Sequence, residues 1–504
     1  MIRYKSNNQQ KIEMFITPFE MNLNPNNRWV KLSKSIPWDE LASIYYQSMN
    51  SRKGAPSIDA RIVIGALIIK HMLRLDDRGT IEMISENVYM QYFLGLSAYT
   101  DKPVFDPSLF VAIRKRLGLE GFNQMNERII NKALGLSSAK SNVQKEKEDE
   151  NQSGSDNLQN RGKLQIDATV ADADIKYPTD VDLLNDSRMK SEEIIDVLYS
   201  ILKPKIKPRT YRRKARKEYL TFAKNKNKSK QQIRKCVKSQ LGYLGRNLKT
   251  IEKMLKDVNP SEFVLDKKLQ QYLLVIQEVY RQQLAMYKGS THQISDRIVN
   301  IHQPHVRPIV RGKSGKHVEF GAKVEISLQE GFGKIERLSW DAFNEGQDLK
   351  FILEKYKSEK GYYPALIQVD KIYLNRENRR YLKEKGIRFT GKPLGRPPKE
   401  EMSAYEKRKA KKEAAERNQV EGYFGLSKRK YRLNRIYAKT RITAEAWIAA
   451  IIMVTNIMKI LRDFLLSFFS KENFYTFLLL KRKLTMNLKN YYLICSLNFS
   501  ANPN

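Results

Sequence analysis

The sequence predicts an α/β core, a mixed sheet with flanking helices, preceded by an all-α N-terminal domain and interrupted after its first strand by a long α-helical hairpin. Three observations predict it. Up to about Leu136 apolar residues recur at helical spacing between capping signals. A β-prone run at Leu164–Val170 is separated by more than a hundred residues from the next strand signals, at Val318–Leu328, Lys334–Trp340 and Ala365–Val369. Between them, Val237, Leu241, Leu244, Leu248, Ile251 and Leu255 step by fours and threes, as do Leu265, Leu269, Tyr272, Ile276, Val279 and Met286, which is the spacing of a helical seam.

In the N-terminal part, Ser57 is the expected cap of a helix carrying Ile58, Ile62, Val63, Leu67, Ile68 and Leu73, which Asp76-Asp77-Arg78-Gly79 ends; a second helix starts from Thr80. Asp106-Pro107 supplies a cap and a first-turn proline for Ser108–Leu117, whose end carries Arg114, Lys115 and Arg116 before Gly118. Basic residues there suit the helix dipole, and they equally suit a helix-turn-helix DNA-binding domain. From Ser137 to Arg161 the chain is polar, with almost no large apolar side chain, and reads as a linker.

Beyond the linker, Asp167 interrupts the apolar run Leu164–Val170. A carboxylate in a buried strand is costly unless it is paired or metal-bound, so it is the first candidate for chemistry. A helix follows near Asp182–Tyr199, then Lys203–Lys238, with 16 Lys+Arg and the single acid Glu218, interleaved with Tyr211, Tyr219 and Phe222. Such a run offers phosphate attraction and stacking surface, including Arg212, Arg213 and Lys214, and a solvated basic helix has the same composition. Asp257-Val258-Asn259-Pro260 marks the turn of the hairpin. Thereafter come a β-hairpin about Gln329–Gly333, a helix at Asp348–Lys360, a strand ending on Asp370, a helix at Asn375–Lys385, a short strand at Arg388–Thr390 and a final charged helix. With the hairpin removed, that order is ribonuclease-H-like.

On the last helix, at ~100° per residue, Glu421 and Lys428 fall about 40° and 20° from Arg417, so an acid and two bases share one face. Net charge is +37, from 92 Lys+Arg against 55 Asp+Glu, far beyond what solubility needs, and it points to a polyanionic partner, nucleic acid first. The charge is spread over several segments, which disfavours a membrane surface as that polyanion. Two cysteines, Cys236 and Cys495, exclude a disulfide framework and a cysteine-based zinc site and fit a reducing compartment. Met1–Gln10 carries no signal-peptide pattern. Trp447–Phe469 is long enough to span a bilayer, but Lys459, Arg462 and Asp463 interrupt it, so a core helix is expected.

Asp167, Asp370 and Glu421 lie where such a fold gathers its acids, and two-metal phosphodiester chemistry needs a few carboxylates that leave coordination positions to water and substrate. Strand ends in open α/β sheets favour Asp370 most directly. Asp172 and Asp174 read as surface acids, and His302-Gln303-Pro304-His305 lacks the further ligands of a zinc site. Lys392–Pro398 is a basic loop suited to a minor groove or to a plain linker.

Together with Phe105-Asp106-Pro107-Ser108, Ile166-Asp167-Ala168-Thr169, Tyr177-Pro178-Thr179-Asp180, Val369-Asp370-Lys371-Ile372-Tyr373, Glu421-Gly422-Tyr423-Phe424-Gly425 with Lys428, and Leu433-Asn434-Arg435-Ile436, the chain resembles the DDE transposases of bacterial insertion sequences, in the insertion-sequence-five-like group and its insertion-sequence-four relatives, over most of residues 30 to 460. The resemblance implies a ribonuclease-H-like catalytic domain acting on double-stranded DNA in the bacterial cytoplasm, at the nucleoid, with terminal-repeat binding and cleavage and strand transfer dependent on Mg2+, for which Mn2+ would substitute. It implies Asp167, Asp370 and Glu421 as catalytic metal ligands. DNA contacts are expected from Arg417, Lys428, Arg429, Lys430, Arg432 and Arg435, and from the basic groups at 114–116 and 212–214, with a homodimer or higher oligomer on DNA. Where the family motif commonly has Tyr three residues before its Arg, this chain has Ala414. A non-catalytic repressor derived from such an element and a nuclease without strand transfer are the alternatives. The expected organisation is 1–136 DNA-binding, 137–161 linker, 162–200 first part of the core, 201–290 basic insertion, 291–462 remainder of the core and 463–504 apolar tail.

Overall fold

The computed structural model describes residues 23–47, 49, 57–135, 160–256, 265–310, 318–391 and 403–468. The linker at 137–159, the turn at 257–260, the loop at 392–398, Cys495 and the tail from 469 lie outside them. The chain divides into two compact units, one formed by 1–113, 121–151 and 452–504, the other by 114–120 and 152–451.

The first unit is helical. Its elements are α1 (Arg28–Ser35), α2 (Trp38–Tyr46), α3 (Ala60–Leu73), α4 (Asp77–Glu86), α5 (Val88–Phe93), both ends of α6 (Leu109–Ala133) and residues 452–468 of the last helix. The cap of α3 is Asp59, whose carboxylate accepts from Arg61 N at 2.7 Å, two residues later than the expected Ser57. Asp76 breaks the chain as expected, and it does so by capping α4 through Gly79 N at 2.8 Å, so that helix begins at Asp77 rather than Thr80. Gly118 interrupts α6 at φ 57°, a conformation that favours glycine, and the helix resumes to Ala133.

The second unit is built on a six-stranded mixed sheet. Strands β1 (Lys163–Asp172), β2 (Arg307–Val310), β3 (Val318–Gln329), β4 (Phe332–Ser339), β5 (Leu366–Val369) and β6 (Arg388–Phe389) run in the order β2-β3-β1-β5-β6, with β4 also on β3. β1 is antiparallel to β3 and parallel to β5, and β5 is parallel to β6. Glu330 and Gly331, at φ 50° and 80°, make the β3–β4 connection a two-residue turn whose twist matches the strands. The short β2 gave no sequence signal, since Arg307-Pro308-Ile309-Val310 combines a proline with too few residues for alternation. Helices α11 (Leu349–Lys360) and α12 (Arg376–Glu384) cover one face, where Leu164, Ile166, Leu353, Ile367, Val369 and Leu382 form a core. Opposite lies α13 (Ala404–Tyr431): buried Gln165 donates to the Glu416 carbonyl at 2.8 Å and to Gln368 Oε1 at 2.7 Å, and Gln368 donates to the Glu413 carbonyl at 2.9 Å.

Between β1 and β2 the chain forms α7 (Asp180–Leu202), α8 (Arg212–Lys224), α9 (Lys230–Lys256) and α10 (Lys267–Gly289). Of the predicted seam positions, Val237, Leu241, Leu244, Ile251, Leu265 and Ile276 are buried in one cluster, which they share with Leu184, Ile194 and Leu198 of α7. The last helix, α14 (Arg441–Phe468), has the length and composition of a membrane span but is 72% buried over Arg441–Phe464, as a core helix is.

Candidate active site

Parallel pairing of Ile166 with Val369 sets Asp370, the next residue of its chain, beside Asp167. Side chains alternate along a strand, so Asp167 and Asp370 share the face on which Gln165 and Gln368 meet α13. That helix carries Arg417 and Glu421 to the same place. Arg417 Nη1 lies 3.7 Å from Asp370 Oδ1 and Nη2 lies 3.5 Å from Glu421 Oε1, with Asp370 and Glu421 each 58% exposed. Gly333 of β4 lies close against α13: a methyl there would stand 2.5 Å from the ring of buried Tyr423.

Burial pushes the Asp167 carboxyl up to about 6, against the backbone N–H of Ala168 that donates to it at 2.8 Å; Glu345 and Asp370 push it further up and Arg417 pulls it down. Asp167 thus feels Glu345, Asp370 and Arg417, and Arg417 in turn pairs with Asp370 and Glu421. Among the described residues, no three His, Cys, Asp or Glu side chains stand close enough to hold a metal as they lie. It is Arg417 that bridges Asp370 and Glu421.

Under this face lies a second polar group that sequence reasoning missed. Glu325 of β3, opposite Ala168, is fully buried; Tyr373, three residues beyond Asp370, donates to its Oε1 at 2.7 Å, and its Oε2 has no partner. Burial pushes Glu325 up to about 7, opposed by the Tyr373 hydrogen bond and assisted by Asp348, Glu345 and Glu336. Those three acids each have a cation: Arg337 at 2.8 Å from Asp348, Lys323 at 2.8 Å from Glu345 and Lys355 at 2.8 Å from Glu336. The rule that singled out Asp167, a charge within a buried strand, applies equally to Glu325 and would have found it. Glu345, in a short turn of helix after β4, had no such signal.

The remaining basic residues scatter. Lys115 and Arg116 are exposed, but Arg114 is buried at 4% exposure, with its guanidinium over Trp447. Arg429, Lys430 and Arg432 are exposed and Lys428 is half-buried, close beyond Glu421 on the chain. Arg435 is held by Asp174 at 2.8 Å, which accounts for that acid. Arg212 makes a two-pronged pair with Asp196 at 2.9 and 3.0 Å, whereas Arg213 and Lys214 point to solvent. His302 accepts or donates to Tyr272 Oη at 2.8 Å, and His305 stacks edge-on against Trp340.

Residues 367–458 match the family described as "Transposase DDE domain", and residues 18–116 match "Transposase domain (DUF772)". The two matches are consistent with a DDE insertion-sequence transposase. The first match contains Asp370, Arg417, Glu421 and Lys428, and the second contains the basic group at 114–116; Asp167 and the whole helical insertion fall outside both. The chain is also similar to a Rhizobium meliloti protein named "Uncharacterized protein ORF8 in nfe locus", 26% identical over 173 residues, covering 34% of this chain and 73% of the relative. No solved structure matches it significantly.

Proposed function

We propose that this transposase binds the terminal inverted repeats of a mobile element and catalyses Mg2+-dependent DNA cleavage and strand transfer at Asp167, Asp370 and Glu421. The observation that carries the reading is the register of β1 on β5, which brings two acids from distant parts of the chain onto the sheet face that α13 covers with a third. The strand order, with β3 and β4 antiparallel on one side of β1 and β5 and β6 parallel on the other, supports a ribonuclease-H-like core.

Asp167, Asp370 and Glu421 would hold the divalent ions, whose chemistry is to stabilise charge on the attacking and leaving oxygens of an in-line displacement. Asp167 must give up its proton for this, and the acids that raise its affinity for protons raise its affinity for any cation in the same way. Arg417 neutralises the site in the absence of a substrate; its guanidinium, 31% exposed, is placed to turn toward a phosphate, as is Lys428 on the same helical face. In cleavage, water oxygen bonds to phosphorus as the bond to the 3′ oxygen breaks, and the freed 3′ hydroxyl repeats the exchange on a target phosphodiester. Both steps conserve electrons and need no oxidant. A homodimer or higher oligomer on DNA, in the bacterial cytoplasm, completes the proposal.

The test is labelled element-end DNA with Mg2+. Wild type should cut and join ends, and Asp370→Ala should bind them with near wild-type affinity and do neither. Joining by the Asp370→Ala protein would overturn the assignment; cutting without joining by wild type would make it a nuclease, and binding alone a repressor.

A further inference from the structure

We propose that the helical insertion between β1 and β2 carries a duplex-DNA backbone-binding surface, formed by the outward stripes of α8 and α9, separate from the metal site. The inference rests on DNA being the substrate. Taking Arg213 as origin at ~100° per residue, Lys217, Leu220 and Lys224 fall within about 40° of it, with Lys214 and Arg216 to either side. The opposite side of α8 is committed inward, where Ala215 is buried and Tyr219 and Phe222 pack on the insertion core.

Three acids near α8 have partners within the insertion, while Glu252 of α9 pairs on the surface with Lys256 at 3.2 Å. Asp196 takes Arg212 and Lys207, Tyr219 donates to Asp182 at 2.6 Å, and Tyr243 donates to Glu218 at 3.1 Å. Arg213, Lys214, Arg216, Lys217 and Lys224 are exposed and take part in no ion pair among the described residues. On α9 the exposed residues Lys235, Lys238, Arg246, Lys249 and Lys253 lie on the side away from the buried Leu241, Leu244 and Ile251. From Lys235 to Lys253 that stripe runs about 27 Å at ~1.5 Å per residue, which is several phosphates of a duplex.

Cation–π contacts join α9 to the residue that precedes α8. Arg209 lies over the Tyr211 ring at 4.5 Å, and Arg246 lies 5.2 Å over Tyr211 and 4.9 Å over Tyr243. Stacking fixes a guanidinium plane at low entropic cost and leaves its edge to donate, a geometry suited to phosphate oxygens. An anionic membrane is the other polyanion, but a helix lying on a membrane turns its apolar face outward. Here the apolar face of α8 is packed inward, and Leu220 alone interrupts its basic stripe.

The experiment measures fluorescence anisotropy of a labelled duplex of arbitrary sequence against the full chain across a KCl series. The insertion triple Arg213→Gln, Lys217→Gln, Lys224→Gln is compared with a matched triple on exposed positions of α12, Arg376→Gln, Arg380→Gln, Lys383→Gln. We expect the insertion triple to lose tenfold or more in affinity at low salt and to lower the slope of log K against log[salt] by up to about 0.9 per substitution, with the α12 triple unchanged. Equal losses in both triples, a wild-type slope in the insertion triple, or tighter binding of wild type to phosphatidylserine vesicles than to DNA would overturn it. Cleavage of element ends by wild type is scored separately, so loss of that activity would count against the proposed function and leave the salt slopes to decide this surface.

Discussion

The hydroxyl of Tyr373 donates to Oε1 of Glu325 across 2.7 Å, beneath the strand end that carries Asp370. The acid is fully buried and, among the described residues, this phenol is the group that satisfies it, with Oε2 left without a partner. Tyr373→Phe should therefore leave a buried carboxyl without its hydrogen bond, costing about 1–3 kcal/mol of stability. Glu325→Gln keeps an acceptor for the hydroxyl and should cost less. Chemical denaturation of the two variants beside wild type checks the ordering; equal stability of Tyr373→Phe and wild type would remove the pair from the account.

The same acid sets a pH dependence. Glu325 in the folded protein ionises near 7 and Asp167 near 6, both above their ordinary range, so the folded state holds more protons than the unfolded chain between about pH 4 and 7. Stability contributed by these groups is fully present below their unfolded values and is lost as pH rises through the folded ones. Glu325 alone gives a fall of roughly 3 kcal/mol across that window. In Glu325→Gln the fall should shrink by about that amount; an unchanged profile measured by urea unfolding from pH 4.5 to 7.5 would contradict it.

Arg417 separates stability from function. Its two pairs are long and its acids are exposed, so Arg417→Ala should change stability by less than about 1 kcal/mol. The same substitution should sharply reduce cleavage of element ends, because phosphate and both flanking acids lose their cation. A large drop in melting temperature, or full activity, would show that the guanidinium acts otherwise.

Gly333 tests how α13 is aimed. One of its Cα hydrogens faces Tyr423, and a methyl in that place would meet the ring at 2.5 Å, so that the side chain, the helix or β4 would have to shift. Gly333→Ala should impair end cleavage more than Gly422→Ala, where a methyl meets nothing within 4 Å. Comparable activity in the two variants would mean that Tyr423 yields without moving Glu421.

Much of this architecture was legible before any coordinates. Turn chemistry at Gln329–Gly333, the heptad-like steps of α9 and α10 and the apolar run ending on Asp370 each follow from local physics, and the structure places strands and helices there. What escaped depended on partners distant in sequence. Arg435 looked like a free cation until Asp174, on the far side of the insertion, was placed against it, and Arg114 looked like a surface residue until Trp447 was found beneath its guanidinium. The caps of α3 and α4 were displaced because Ser57, Asp59, Asp76 and Asp77 compete as near-equivalent capping side chains, and packing decides among them. Asp167 and Glu325 illustrate both outcomes: a charge in a buried strand is visible in sequence, but which face it takes is set by register.

On the proposed function, Asp167, Asp370 and Glu421 form one cation site from three distant stretches of chain. Iron(II) bound in place of Mg2+ generates hydroxyl radicals that cut the polypeptide near its ligands, so the purified protein treated with iron(II), ascorbate and peroxide reads the site directly. Cuts are expected beside residues 167, 370 and 421 that Mg2+ suppresses and that Asp167→Ala removes together. Cuts confined to His302 and His305, or cuts at the three acids that survive Asp167→Ala, would contradict it.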